Sequence, residues 1–294
     1  MRVFVTGATG FIGSAIVHDL LEAGHQVLGL ARSEAGAASL AAAGAAVHRG
    51  SLEDLASLQR GAAAADGVIH TAFVHDFSRY AASAELDAIA IEAMAQTLAG
   101  SNKPLVVTSG TLGLPPGRAG TEDDAAASSS PRRSESAAVA AAALGVRAMV
   151  VRLPPSVHGD GDHGFVPMLI ARARELGVAT VIGDGTNRWP AVHRLDAARL
   201  FRLALEQGTA TARFHGVADE GIPVRAIAER IGHRLGVPVV STTAEAAAEN
   251  LGFIGRVLAM DGPASSALTQ ARLGWRPTQP GLLLDLEQGR YFDT

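Results

Sequence analysis

The stretch Thr6-Gly7-Ala8-Thr9-Gly10-Phe11-Ile12-Gly13 decides how the rest of the chain is read. It closes a short apolar run at 3–6 and opens a helix-like one at 11–23, so a strand passes into a helix through three glycines. Gly7 permits a tight turn. Gly10 lets the backbone approach a pyrophosphate, and Gly13 lets the helix pack closely on the strand. The N–H groups and positive dipole end of that helix then meet the phosphates. Glycine turns also serve purely structural ends, but this one sits after a strand and before a helix. It predicts a dinucleotide site with contacts at Gly7, Thr9, Gly10, Phe11, Ile12 and Gly13.

Outward from the turn, two periods alternate. Apolar runs at 26–30, 45–48, 67–71, 105–108 and 147–151 read as buried parallel strands. Helix-like stretches at 37–43, 52–60, 81–98 and 134–144 lie between them, and Gly24, Gly44, Gly100 and Gly145 stand where helices stop. The expected fold is α/β: a Rossmann-type doubly wound parallel sheet with a smaller C-terminal substrate lobe. After Val151 the pattern loosens into loops around one helix at 167–175. A helix at 196–206 and a strand at 213–217 return to the main sheet, and two further helices with a Pro/Gly-rich tail follow Gly221. The division this suggests is 1–152 with 192–217 for the dinucleotide, and 153–191 with 218–294 for the substrate. The low-complexity run 121–130 reads as a mobile loop.

Composition narrows the chemistry. The 294 residues are 48% apolar and 18% charged with a net charge of −4, which suits one large domain or a domain with a smaller partner. The absence of cysteine excludes disulfides, Cys-ligated zinc, iron–sulfur clusters and thiolate catalysis. The acidic balance argues against a nucleic-acid partner, and the short apolar runs argue against a membrane one. The chain enters a strand at once, without a signal-like segment, so a cytoplasmic protein is expected. There is one lysine, Lys103, and there are two tyrosines, Tyr80 and Tyr291.

The end of the second strand bears on the choice of dinucleotide. An NAD site usually has an acidic residue there for the adenosine ribose hydroxyls. This chain has Ala31-Arg32-Ser33, in which Arg32 can pair a 2′-phosphate and Ser33 can donate to it. NADP is therefore the expected cofactor, the alternative being a solvated surface arginine. Ser51 and Leu52, after the third strand, fall near the adenine.

Several further segments carry a family likeness. They are Val107-Thr108-Ser109-Gly110-Thr111, Arg152-Leu153-Pro154-Pro155-Ser156-Val157-His158-Gly159, Ala191-Val192-His193-Arg194-Leu195-Asp196 and Leu273-Gly274-Trp275-Arg276-Pro277. With the glycine turn, and in this order, they make the chain resemble the extended short-chain dehydrogenase/reductase superfamily, which contains sugar-nucleotide epimerases and dihydroflavonol reductases. The resemblance covers nearly the whole chain. It implies cofactor contacts also at Thr71, Ala72, Phe73, Glu135, Pro154 and Pro155, and a homodimer formed through the helices at 81–98 and 134–144. The alanine run 137–143 would permit that approach, or pack within one chain.

The family's Tyr-x-x-x-Lys pair is missing. The matching stretch is Pro131-Arg132-Arg133-Ser134-Glu135, with Pro131 in the tyrosine's place and Glu135 in the lysine's. Neither tyrosine has a lysine four residues on. The family's helix asparagine falls at Asp87, and its catalytic serine at Ser109, Gly110 or Thr111. In place of the pair, Ser109 or Thr111 can hydrogen-bond a substrate carbonyl or simply cap the strand. Arg133 can stabilise an alkoxide or stay solvated. Glu135 can accept from the nicotinamide ribose or cap its helix. His158 takes the place of the family's Val-Tyr-Gly tyrosine and, with His163, is a candidate proton source; His193 reads as structural. Asp160, Asp162 and His163 hint at a metal loop whose remaining ligands are missing, so no metal is expected. Phe73, Phe77, Tyr80, Phe165 and Trp189 are the aromatics placed to line a pocket. The leading expectation is an NADP(H)-dependent oxidoreductase acting on a small carbonyl or alcohol. An NADP-sensing regulator without turnover and a sugar-nucleotide epimerase or dehydratase stand as alternatives.

Overall fold

The computed structural model describes residues 1–76, 79–127 and 132–293. The chain runs β1 (Arg2–Thr6), α1 (Phe11–Glu22), β2 (Gln26–Ala31), α2 (Glu34–Ala42), β3 (Ala46–Arg49), α3 (Leu55–Ala63), β4 (Gly67–His70), α4 (Tyr80–Leu98), β5 (Pro104–Gly110), α5 (Ser134–Ala143) and β6 (Arg147–Leu153). It continues through β7 (Ser156–His158), α6 (Phe165–Leu176), β8 (Ala179–Ile182), β9 (Arg188–His193), α7 (Arg194–Gln207) and β10 (Arg213–His215). Then come β11 (Asp219–Pro223), α8 (Val224–Leu235), β12 (Val239–Thr242), α9 (Ala244–Leu251), α10 (Phe253–Leu258), α11 (Ala267–Leu273) and α12 (Leu282–Gln288).

Seven strands form one parallel sheet in the order β10-β6-β5-β4-β1-β2-β3. Val3, Phe4 and Val5 are fully buried, as strands covered on both faces must be. On one face α1 packs against α7; on the other α4 packs between α3 and α5. The chain leaves β1 toward β2 and returns to β4 on its other side. That reversal opens a crevice at the carboxyl ends of β1 and β4, where ligands bind in such sheets.

The later part of the chain is more regular than its composition suggests. The span 153–190 is not loops around one helix: β7, β9 and β11 make a three-stranded sheet, and β8 pairs with β12. Beyond Gly221 the described residues hold five helices, α8 to α12, rather than two. Their core is separate, built on Trp189, Ile227 and Leu258. The Leu-Gly-Trp segment does not belong to it. Trp275 is fully buried in the main core against α7, and its ring N–H donates to the Asp196 carbonyl at 3.0 Å.

Local chemistry moved other boundaries. α2 starts three residues earlier than the apolar pattern implied, because the Ser33 hydroxyl accepts from Gly36 N–H at 3.1 Å and caps it. Asp54 caps α3 in the same way at 2.9 Å, so that helix starts later than 52. The run from Thr121 to Asp124 is anchored rather than loose: Asp124 takes the Thr121 N–H at 2.7 Å, and buried Glu122 takes two donors from Thr269 at 2.6 Å. Residues 128–130 of that run lie outside the described residues. In the alanine run, Ala137, Ala138 and Ala141 pack inward beside α4, while Val139 is exposed. Among the described residues no helix is long and apolar enough to cross a membrane.

Candidate functional site

The glycine turn is built as its spacing requires. Gly7 has φ of +69°, open to glycine but strained for other residues. A Cβ at Gly13 would lie 2.0 Å from the Gly7 carbonyl oxygen, so helix and turn touch through backbone alone. A Cβ at Gly7 would fall 2.7 Å from the Ala72 nitrogen. No side chain caps α1, which leaves its first N–H groups facing the crevice. This cradle fits a pyrophosphate.

The crevice continues as a cleft of about 1150 Å³. Gly7, Thr9, Gly10, Phe11, Ile12 and Gly13 line it near the turn. Arg32, Ser51 and Leu52 line it at the end beside β2 and β3, with Glu53, which sequence reasoning missed, next to Ser51. The Ser51 hydroxyl, together with the Arg32 charge, holds the Glu53 carboxyl below its ordinary range. Thr71, Ala72 and Phe73 form the wall after β4. Ser109, Thr111, Glu135, Pro154 and Pro155 line the opposite stretch.

Three expected residues stand elsewhere. Ser33 does not line the cleft, because its hydroxyl caps α2. Arg133 is exposed and donates to Glu85 at 2.8 Å, outside the cleft. His158 is fully buried behind the wall, with Nδ1 2.8 Å from the Asp285 carboxylate and its ring edge-on to His193. It cannot reach a molecule in the cleft from there. The neighbouring arginine and histidine line the cleft instead: Arg132 and His163. Two adjacent arginines look alike in sequence, and only the register of the loop entering α5 separates them.

The Arg132 guanidinium lies 4.6 Å over the Phe73 ring and donates to the Thr108 carbonyl and the Ser134 hydroxyl, each at 3.0 Å. Behind it, buried Asp87 accepts from His70 Nε2 at 3.1 Å and from the Ser134 hydroxyl, while His70 Nδ1 meets the Thr6 hydroxyl at 2.8 Å. Burial pushes the Asp87 carboxyl up, but His70, Arg132 and Ser134 outweigh it and hold the group below its ordinary value. His163 lies edge-on to Phe11 at 5.7 Å. Its neighbour Asp162 accepts from the Tyr291 hydroxyl at 2.8 Å and the Gly164 N–H at 2.7 Å, and burial pushes its carboxyl up. Among the described residues no three His, Asp or Glu side chains are arranged to hold a metal.

Glu135 is a paired carboxylate. Arg152 donates to both of its oxygens, at 2.8 and 2.7 Å. Burial raises the Glu135 pKa, yet the Arg152 hydrogen bonds and charge, with Ser109 adding a further bond, bring it below the ordinary value. At neutral pH it is an acceptor, not a proton donor. Thr111 differs: its hydroxyl is buried in the wall without a protein partner. Pro131, which the sequence resemblance sets against the family's tyrosine, and Phe77 lie outside the described residues. Trp189 is core, while Phe73, Tyr80 and Phe165 line the cleft. Leu112, Met168, Phe253, Val257 and Met260 also line it, and no motif pointed to them.

A doubly wound sheet with a glycine cradle at its reversal defines a Rossmann-type dinucleotide-binding protein. The chain belongs to the NAD dependent epimerase/dehydratase family, which matches residues 3–215, and with it to the extended short-chain dehydrogenase/reductases, a group of oxidoreductases and epimerases. It is 54% identical to the uncharacterized protein C2A9.02 of Schizosaccharomyces pombe over 99% of this chain and 100% of that one. It is 28% identical to the 2-alkyl-3-oxoalkanoate reductase of Stenotrophomonas maltophilia, over 82% of this chain and 77% of that one. Its fold is that of DesIV, the dTDP-glucose 4,6-dehydratase of Streptomyces venezuelae solved with NAD bound, at a TM-score of 0.78, 22% identity and coverage of 99% and 98%. The UDP-glucose 4-epimerase of Thermotoga maritima matches at 0.77, with 21% identity and full coverage of both chains.

Proposed function

We propose that this chain is an NADP(H)-dependent oxidoreductase that interconverts a carbonyl and an alcohol on a small molecule without a Tyr–Lys pair. The observation that carries it is the pairing of a glycine cradle with Arg32 in one cleft, which continues past Ser109 and Thr111. The phosphate preference rests on the β2 end: Arg32 lines the cleft, whereas Glu34, the nearest carboxylate in sequence, is 93% exposed and paired with Arg49. The likeness to an oxoalkanoate reductase supports reduction as the direction.

NADPH, when bound, supplies the hydride. The chain's own residues position the oxygen that receives a proton. The Thr111 hydroxyl, closed to solvent in the cleft wall, has no competing protein partner; a turn of its side chain toward the cleft would let it donate to a substrate carbonyl oxygen. Ser109, engaged with Glu135, holds the same wall. The fixed Arg132 charge favours an alkoxide nearby. Glu135, kept ionised by Arg152, takes hydrogen bonds from hydroxyl groups and gives none.

The test is the loss of NADPH absorbance with a panel of aldehydes and ketones, run beside NADH. Consumption of NADPH in preference to NADH supports the proposal. Tight NADPH binding with no consumption by any carbonyl favours the sensing alternative, which the missing Tyr–Lys pair also suits. Conversion of a sugar nucleotide without net NADPH use would make the chain an epimerase or dehydratase.

A further inference from the structure

The cleft has two unlike ends. Its volume of about 1150 Å³ exceeds the roughly 300–1,000 Å³ of a pocket for one small molecule, so it has room for a dinucleotide and a second compound. The glycine turn, Arg32 and Ser51 take the first. Beyond Thr111 the walls change character. Leu112 and Leu114 follow β5, Phe165 and Met168 come from α6, and Val257 comes from α10. Phe165 is held in place by Trp189 and Phe253, with ring centroids 6.2 and 6.1 Å away. Asp162, which accepts from Tyr291, and His163 border this surface ahead of α6, and the exposed Arg256 interrupts it. Arg256 on α10 lies 5.9 Å over the Phe253 ring and has no carboxylate partner among the described residues.

We propose that the substrate is an oxo acid with a hydrocarbon arm: its carbonyl against Ser109 and Thr111, its arm along Leu112, Phe165, Met168 and Val257, and its carboxylate at Arg256. This rests on the reading of the chain as an NADP(H)-dependent oxidoreductase and names the compound that the same cleft takes. An alkyl arm gains from leaving water against these side chains. The hydroxyls and base of a sugar nucleotide would lose water there and find few partners. The unpaired guanidinium fits a single carboxylate, bound through both oxygens. Reduction forms a C–H bond at the carbonyl carbon from the hydride of NADPH. The C4–H bond of the dihydronicotinamide breaks, the carbonyl π pair moves to oxygen, which takes one proton delivered from solvent, and NADPH leaves as NADP⁺.

The test uses the full chain with NADPH and two matched series of increasing chain length, straight-chain oxo acids and the corresponding methyl ketones. Calorimetry of the same acids on the NADP⁺-loaded protein gives binding without turnover. Expected is a rise in kcat/KM and in affinity of about fourfold per methylene until the wall is covered. Arg256→Gln should reduce the preference for acid over ketone about tenfold. Met168→Lys should flatten the chain-length dependence while NADPH affinity stays as in the parent protein. Flat chain-length dependence, equal preference in Arg256→Gln, or NADPH consumption only with sugar nucleotides or small polar ketones overturns the substrate class and leaves the oxidoreductase reading standing. NADPH that neither binds nor is consumed with any carbonyl overturns both.

Discussion

Glu135 supplies the carboxylate that balances fully buried Arg152, pairing the first turn of α5 with the interior of β6. Arg152 reaches further, donating to the Asp124 carbonyl at 2.8 Å and meeting His215 Nε2 at 3.2 Å, while His215 Nδ1 meets the Ser265 carbonyl at 2.8 Å. A lysine at 135 would face that guanidinium as a like charge. The carboxylate at 135 and the buried arginine of β6 are therefore two halves of one arrangement.

Glu135→Gln removes the balancing charge and leaves Arg152 buried. The loss of one partner of a buried pair costs about 3–5 kcal/mol, measured by chemical denaturation at neutral pH. Because the folded-state pKa of Glu135 is depressed, its stabilisation is present above the unfolded glutamate value of about 4.3. It is lost as pH falls through the lower folded value. The gap between parent and variant should narrow in acid; a gap unchanged there contradicts the assignment.

Arg32→Ala should weaken NADPH by roughly 10–100-fold, the worth of a charge-assisted contact to a phosphate. NADH, which lacks the 2′-phosphate, should lose little. Fluorescence titration of both dinucleotides measures this, and equal losses would remove Arg32 from the 2′-phosphate.

Thr111→Val separates catalysis from stability. The hydroxyl has no protein partner, so an isosteric apolar replacement should leave the denaturation midpoint equal or higher. If the hydroxyl meets the substrate oxygen, kcat/KM should drop roughly 10²-fold with NADPH affinity retained. A midpoint that falls together with activity would point to a structural role.

His158→Gln should act in the opposite way. Breaking the contact with Asp285 costs about 1.5–3 kcal/mol of stability, as hydrogen bonds to charged groups do. The pH–rate profile should keep its shape, since the ring lies behind the cleft wall. A profile that loses a limb would place His158 back in the chemistry.

Much of this molecule is legible in one dimension, and the illegible parts share a cause. The parallel sheet follows from short apolar runs spaced by helices, and the cofactor cradle from three glycines whose missing side chains are the reason the backbone fits. The absence of a Tyr–Lys pair follows from counting one lysine and two tyrosines. The strands β7, β9 and β11 carry no local signature, because Gly, Pro and Asp around them resemble loop and their pairing partners are far along the chain.

Which side chains meet in the cleft is set by neighbours remote in sequence. Arg132 rather than Arg133 lines it, because Thr108 and Ser134 take the guanidinium of the first while Glu85 draws the second outward. His158 is withdrawn by Asp285, 127 residues later. The sequence by itself determined the sheet, the phosphate turn and the absence of any tyrosine followed four residues later by lysine, because these depend on periodicity, on residue size and on counts. Only the tertiary structure decided which charges are paired and which groups are left for a substrate. Hydrogen bonds and ion pairs between distant segments set those choices, and no local pattern encodes them.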